Sequence, residues 1–336
     1  MTPLKVSRDQ VLSFRRRVGG LDERLPKGRR SLRQAAWAGL QDSMPRAALL
    51  SIHARVDGAV PTIWHQPPLV QVWGPRFSAY VVAQQDVAMF TVARLPEEGP
   101  RRRRAEETAD RLQALLGAES MTYSDAGKAL GVSPNSLRYA ALTGRVLIHW
   151  DGARRPTVRM VPPPDIEPEK ARKEMARRFL RVFGPSTAPS FAGWAGITVA
   201  VARATFESLN SIPVRTPLGD AWLLARDEET LRSPTQEPAP ARLLPSGDAY
   251  YLLQGADREL LVPDAARRDM LWTPRVWPGA ILKGGEIVGT WRRSKANVSL
   301  TSWRRLNRAD RDVIGAEAES LPLPDVDDGI SVVWGV

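Results

Sequence analysis

An α+β fold, mainly helical, in which tandem winged helix-turn-helix domains precede a small β-rich C-terminal domain, is predicted by three features of the 336-residue sequence. Three Pro-rich, polar stretches punctuate the chain as linkers do, at 95–100, 161–168 and 233–240. Between them a plan of helix, helix–Gly turn–helix and hairpin occurs twice, a structural duplication without sequence identity. After the last stretch, short β-like runs replace the helical periodicity. The expected domains are 1–98, 99–164, 165–232 and 233–336.

The first segment offers helices at 8–17, 32–38 and 45–56, then a strand pair at 69–73 and 79–83, and fits the plan less cleanly than its successors. In its third helix, Leu49, Leu50, Ile52 and Val56 recur at helical spacing. Ser43 is placed to cap that helix, and Pro45 falls in the first turn, where a missing N–H costs nothing. The second segment begins with a helix at 106–116. Thr122-Tyr123-Ser124-Asp125 opens another, which buries Ala126, Ala129 and Leu130. Gly131 suits the left-handed residue that ends a helix. Ser133 and Pro134 then start a helix carrying Asn135, Arg138, Tyr139 and Leu142. A hairpin over 146–150 and 157–161 follows, with Asp151-Gly152 near its turn. The third segment repeats this with helices at 172–183, 189–194 and 199–209 and a hairpin at 212–215 and 221–225. The last has β-like runs at 250–253, 280–283, 287–292 and 298–302, Gly284-Gly285 joining two of them, and a helix at 308–321.

Net charge is +11, nearly all of the positive charge being arginine, which points to a polyanion: nucleic acid first, an acidic membrane surface second. Cysteine is absent, which excludes disulfides, thiolate zinc sites and thiol nucleophiles and suits a cytoplasmic location. The three histidines, His53, His65 and His149, are not at metal-ligand spacing, so no metal is expected. No apolar run has the length of a signal peptide or membrane span. No phosphate loop, Gly-x-Ser-x-Gly elbow or His-Glu-x-x-His occurs, so nucleotide hydrolysis and serine or zinc hydrolase chemistry have no support. No heptad marks a dimer helix, and a monomer with no obligate protein partner is expected.

Candidate nucleic-acid contacts are scattered. Arg46 and Arg55 flank the helix after Gln41-Asp42-Ser43. Arg76 is placed to hold a phosphate and Phe77 to stack on a base. Arg138 and Asn135 in the second segment, and Arg203 and Asn210 in the third, are few for base reading, which favours backbone and shape recognition. The run Trp291-Arg292-Arg293-Ser294-Lys295-Ala296-Asn297 is the densest basic-aromatic cluster and reads as a phosphate-gripping or groove-probing element. Arg101 to Arg104 read as a solvated linker, and His53 as a packed or exposed helix residue.

The stretch from Gly39 to Val56, the order of the pieces, Phe183-Gly184-Pro185 leading to Trp194, and Val288-Gly289-Thr290-Trp291-Arg292 together resemble the AlkZ/YcaQ-like DNA glycosylases. That family of winged-helix proteins unhooks bulky alkylated purines and crosslinks from DNA. Its Gln-x-Gln or Gln-x-Asp motif lies just before such a helix. Gln41 matches the first position, and Ser43 departs at the second. The resemblance implies a monofunctional glycosylase acting on N7- or N3-alkylated purines in double-stranded DNA, without cofactor. Gln41 would orient water at a sugar C1′. A cationic alkylpurine is already a good leaving group, so electrostatic support matters more than a strong base. In an extended segment Gln41 and Ser43 share a face and Asp42 points away; in a helical one Asp42 swings toward the site. No lysine adjoins the motif, so lyase chemistry is not expected. The alternative is a non-enzymatic winged-helix DNA-binding protein, a regulator or lesion binder, which the departure at Ser43 supports.

Overall fold

The computed structural model describes residues 3–152, 155–234, 237–238, 241–253, 255–324, 326 and 329–335; part of the third Pro-rich stretch, at 235–236 and 239–240, lies outside them. The first segment folds as β1 (Leu4–Lys5), α1 (Arg8–Val18), α2 (Arg29–Ala35), β2 (Leu40–Gln41), α3 (Ala47–His53), β3 (Leu69–Trp73), β4 (Ala79–Ala83) and α4 (Val87–Phe90). The second folds as α5 (Pro100–Leu116), β5 (Ser120–Thr122), α6 (Tyr123–Ala129), a 3-10 run (Pro134–Thr143), β6 (Val146–His149) and β7 (Thr157–Met160). Then come α7 (Pro168–Phe183), α8 (Ala188–Ala195), α9 (Val199–Glu207), β8 (Ser211–Thr216), β9 (Gly219–Leu224) and α10 (Glu228–Arg232). The last part holds β10 (Arg242–Leu244), α11 (Asp257–Leu261), α12 (Ala265–Leu271), β11 (Gly279–Lys283), β12 (Glu286–Ser294), β13 (Asn297–Ser302), α13 (Arg308–Glu319) and β14 (Ser331–Trp334).

Local chemistry accounts for most of these boundaries. Ser7 and Gln10 close a reciprocal capping box on α1, and Thr122, Thr187 and Thr198 cap α6, α8 and α9 through their hydroxyls. Two expectations fail. The arginine run is no linker, because Pro100 starts α5 at its first position and Arg101 to Arg104 form its opening turn. Residues 250–253 form no strand. Tyr250-Tyr251-Leu252-Leu253 is buried throughout, and a short apolar run reads alike as strand or buried turn. The Tyr251 hydroxyl donates toward the Pro245 and Pro278 carbonyls, 2.7 and 2.9 Å away, pinning that turn.

The strands form three sheets, and two of them cross the expected segments. A six-stranded sheet runs β2-β4-β3-β6-β7-β5, joining the first segment to the second through the antiparallel pair Gln71↔Ile148. A three-stranded sheet pairs β1 in parallel with β8, Leu4 opposite Val214. The third sheet is β10-β11-β12-β13-β14. The largest core gathers Val11, Leu12 and Phe14 of α1 with Phe179 and Phe183 of α7. Phe179 sits 5.2 Å from Phe191 and 5.3 Å from Trp194, at distances and tilts favourable for aromatic packing. Among the described residues no helix is long and apolar enough to cross a membrane.

One buried ion pair fixes the C-terminal part against the first segment. Arg55, just past α3, places both terminal nitrogens 2.7 Å from the two oxygens of Asp248. The Ser51 hydroxyl donates to the same carboxylate at 2.7 Å, and the Tyr250 N–H at 2.9 Å. Arg55 was expected on a DNA phosphate. It is instead buried, with a protein carboxylate where the phosphate would have been. Removing one partner leaves the other charge buried and alone, which costs about 3–5 kcal/mol. Asp248→Ala should therefore lower stability by that order in urea unfolding. The double variant Arg55→Met/Asp248→Leu should lose far less.

Candidate active site

Gln41 stands at the edge of the six-stranded sheet. β2 pairs antiparallel with β4, Gln41 opposite Tyr80, and the Asp42 N–H donates to the Ala79 carbonyl at 2.8 Å. The chain then leaves the strand. Gln41 and Ser43 share one face, the Gln41 amide nitrogen donating to the Ser43 hydroxyl at 3.2 Å. Asp42 turns the other way and is buried. One of its oxygens accepts from the Ala48 N–H at 3.0 Å, the other from the Gln71 amide at 2.6 Å. Gln71 in turn accepts from the Trp150 N–H at 2.6 Å and donates to its carbonyl at 3.1 Å. Burial pushes the Asp42 carboxyl up to about 6, against the pull of the Ala48 N–H, Gln71 and Arg46.

Ser43 was expected to cap the helix, and it does not. Arg46, in left-handed backbone at φ 68°, inserts a turn between Ser43 and the helix start at Ala47. The orphan N–H groups are then reached from behind by Asp42. The carbonyl oxygen of the Gln41 side chain is buried and has no partner among the described residues. Gly247, at φ +79°, lies against this amide; a Cβ there would come 3.4 Å from the Gln41 Cδ. Asp248, the next residue, is the partner of Arg55, so the ion pair fixes the wall against which Gln41 rests.

Two hairpins flank the loop. Gly152, near the turn between β6 and β7, touches Pro45: a Cβ at its position would lie 2.7 Å from that proline. The Arg46 guanidinium donates to the Asp151 carbonyl in the same turn and lies 5.4 Å from the Trp64 ring. From the opposite side, Arg293 of β12 reaches the Pro45 carbonyl at 3.5 Å. Arg292 donates to the Val276 carbonyl at 3.1 Å, and Lys295 is exposed in the β12–β13 turn at φ 54°. A cavity of about 380 Å³ opens between Met44, Pro45, Trp277, Trp291 and Arg293.

The remaining expected contacts lie elsewhere. Arg76 and Phe77 occupy the β3–β4 turn, both in left-handed backbone at φ 55° and 58°. Phe77 was expected to stack on a base. Its ring is instead engaged within the protein, 4.9 Å from the Arg94 guanidinium, 5.7 Å from that of Arg101 and 5.2 Å from Tyr139. Arg138 lies 5.8 Å from the Tyr123 ring on the second segment. His53 is buried between Arg24 and Ser320, and burial, then Arg24 and Arg242, hold it neutral, its pKa lowered to about 4. Gln71, Gly247 and a cluster of Trp64, His65 and His149 were not anticipated, because strand pairing and loop packing alone bring them to the motif. Among the described residues no group of three metal-ligating side chains occurs.

A small, Arg-rich protein that seats a glutamine-bearing loop between two basic or aromatic hairpins falls in the class of nucleic-acid-processing proteins. The family model described as DNA glycosylase AlkZ-like matches residues 35–322, and the chain belongs to that family. Among solved structures, Streptomyces sahachiroi DNA glycosylase AlkZ matches with a TM-score of 0.78 at 16% identity, covering 99% of this chain and 100% of that one. At that identity the match establishes a shared fold. No curated protein matches the chain.

Asp42 gives a pH test. Its folded pKa, about 6, exceeds the ordinary 3.8, so the folded state binds the proton more tightly than the unfolded one. The stability this group contributes is present at low pH and lost as pH rises through about 6, by about 3 kcal/mol for two units. The stability of the wild type relative to Asp42→Asn should fall between pH 4 and 7 and level off above, in urea titrations at each pH.

Proposed function

We propose that the chain is a monofunctional DNA glycosylase that hydrolyses the N-glycosidic bond of N7- or N3-alkylated purines in double-stranded DNA, bulky adducts and interstrand crosslinks included. One observation carries the reading: a buried amide oxygen without partner, on a glutamine whose nitrogen is held by Ser43. Buried acceptors are seldom left unmade, and such an orphan, resting against Gly247, calls for a partner. A water that donates to this oxygen turns its lone pair toward C1′. The C1′–N bond breaks with its electron pair going to the cationic purine, which leaves neutral. The amide oxygen faces the developing positive charge on the sugar and stabilises it. Water then bonds to C1′ and loses its proton to solvent, since an amide is no base. Asp42 acts one step removed, by fixing the loop.

In this reading the helices of the second and third segments, each with its hairpin, are tandem winged helices. The turns at 151–152 and 294–297 lie on either side of the DNA. Entry of a crosslinked nucleotide then needs no full extrusion, which a crosslink forbids. A second reading, a non-enzymatic lesion binder, is favoured by Ser43, whose hydroxyl offers less than the amide or carboxylate of the family motif.

The decisive assay is base release from a duplex with one N7-methylguanine and, in parallel, from a nitrogen-mustard crosslink. Wild type should release both, and Gln41→Ala should be slower by about 100-fold or more. Ser43→Ala should lose less, and Ser43→Gln should retain or raise the rate. Intact DNA binding with no release would establish the second reading. In the same binding assay, Lys295→Ala should reduce the slope of log affinity against log salt by about 0.9, the signature of one lost phosphate contact.

A further inference from the structure

Two of the chain's three histidines meet beside the Gln41 loop. His65 follows Trp64 in a short 3-10 turn, and His149 ends β6 in the second segment. The His149 ring stacks on Trp64 at 5.5 Å and 12°. His65 stands edge-on to both, 4.6 Å from Trp64 and 5.7 Å from His149. Trp64 is buried and gives the group a fixed base, while both imidazoles are exposed. The Arg46 guanidinium lies 5.4 Å from the same indole. We propose that His65, His149 and Arg46 form a proton-linked phosphate site that grips the DNA backbone beside the Gln41 loop.

The chemistry favours an anion. Two imidazoles and a guanidinium converge on one rigid indole, and each gains from a phosphate oxygen. His65 is held below its ordinary pKa by burial, then by His149 and by Arg46. A phosphate arriving here offsets that repulsion, so binding draws in protons. The charged groups facing the patch are Arg46 from the loop, with Asp42 buried behind it, and Arg293 from β12; the backbone carbonyl of Asp151 in the β6–β7 turn accepts from Arg46. The two flanking hairpins thus bring unlike groups to the DNA: β12–β13 the guanidinium groups of Arg292 and Arg293, β6–β7 the imidazole of His149.

This rests on the glycosylase reading only for the identity of the polyanion, and binding to an undamaged duplex tests it apart from catalysis. Affinity should be measured from pH 7.5 to 5.5 at fixed salt. Wild type should tighten by about tenfold or more as pH falls, up to tenfold per unit for each imidazole that takes a proton. His65→Gln/His149→Gln, both at exposed positions, should flatten the dependence without changing thermal stability. Asp42→Asn should keep it, which separates the patch from the loop's own titration. His65→Lys should bind tightly with a shallower dependence. A wild type with no pH dependence, or a double glutamine variant with the wild-type slope, would overturn the proposal. Base release at pH 7.5 is a separate readout, and its failure bears on the glycosylase reading alone.

Discussion

The Arg55–Asp248 pair is the constraint on which the site depends. Both side chains are out of water, and each charge is tolerable only because the other is there. The pair joins the end of α3 to the loop after β10, two places nearly two hundred residues apart in sequence. Gly247 precedes Asp248, so the geometry of the ion pair is passed directly to the wall beside Gln41. The face around Gln41 is thereby assembled from the first and last parts of the chain, and neither part carries it alone.

Around that anchor the loop is held from three directions. Asp42 ties it to α3 and, through Gln71, to Trp150 at the turn end of the β6–β7 hairpin. Gly152 and Pro45 press it from one side, and Arg293 meets it from the other. Three polar residues in succession, Gln41, Asp42 and Ser43, with left-handed backbone at Arg46, make a short irregular segment behave as a rigid one. Such preorganisation suits the role proposed for the Gln41 amide, holding a water without taking its proton.

Much of this was legible in the sequence, and the gaps have physical causes. Strands at 69–73 and 79–83, the hairpin turn at Gly284-Gly285 and the cap at Thr122 follow from local rules, because alternation, turn residues and caps act over a few residues, whereas Ser133 makes no side-chain cap and Pro134 opens a 3-10 run rather than an α-helix. Gln41 was singled out by the family resemblance of the segment before an apolar-periodic helix, and it lies at the end of β2. Asp42, not Ser43, serves the helix, since one left-handed residue at Arg46 shifts which side chain reaches the free N–H groups. Arg55 looks like any surface arginine in a periodicity plot; only the fold reveals Asp248 opposite it. The same holds for Trp64, His65 and His149, whose meeting depends on β3 pairing with β6.

The pairing of β1 with β8 has a bearing on how the molecule comes to exist. Leu4 lies against Val214, so the first residues of the described chain find their place only after the third hairpin has formed. Closing so long a loop is slow and entropically dear, and it puts the N-terminal strand among the last elements to dock. During synthesis β1 emerges long before its partner β8. Until α7 arrives, the apolar face of α1 that shares its core is left uncovered, and over that interval the nascent chain exposes apolar surface.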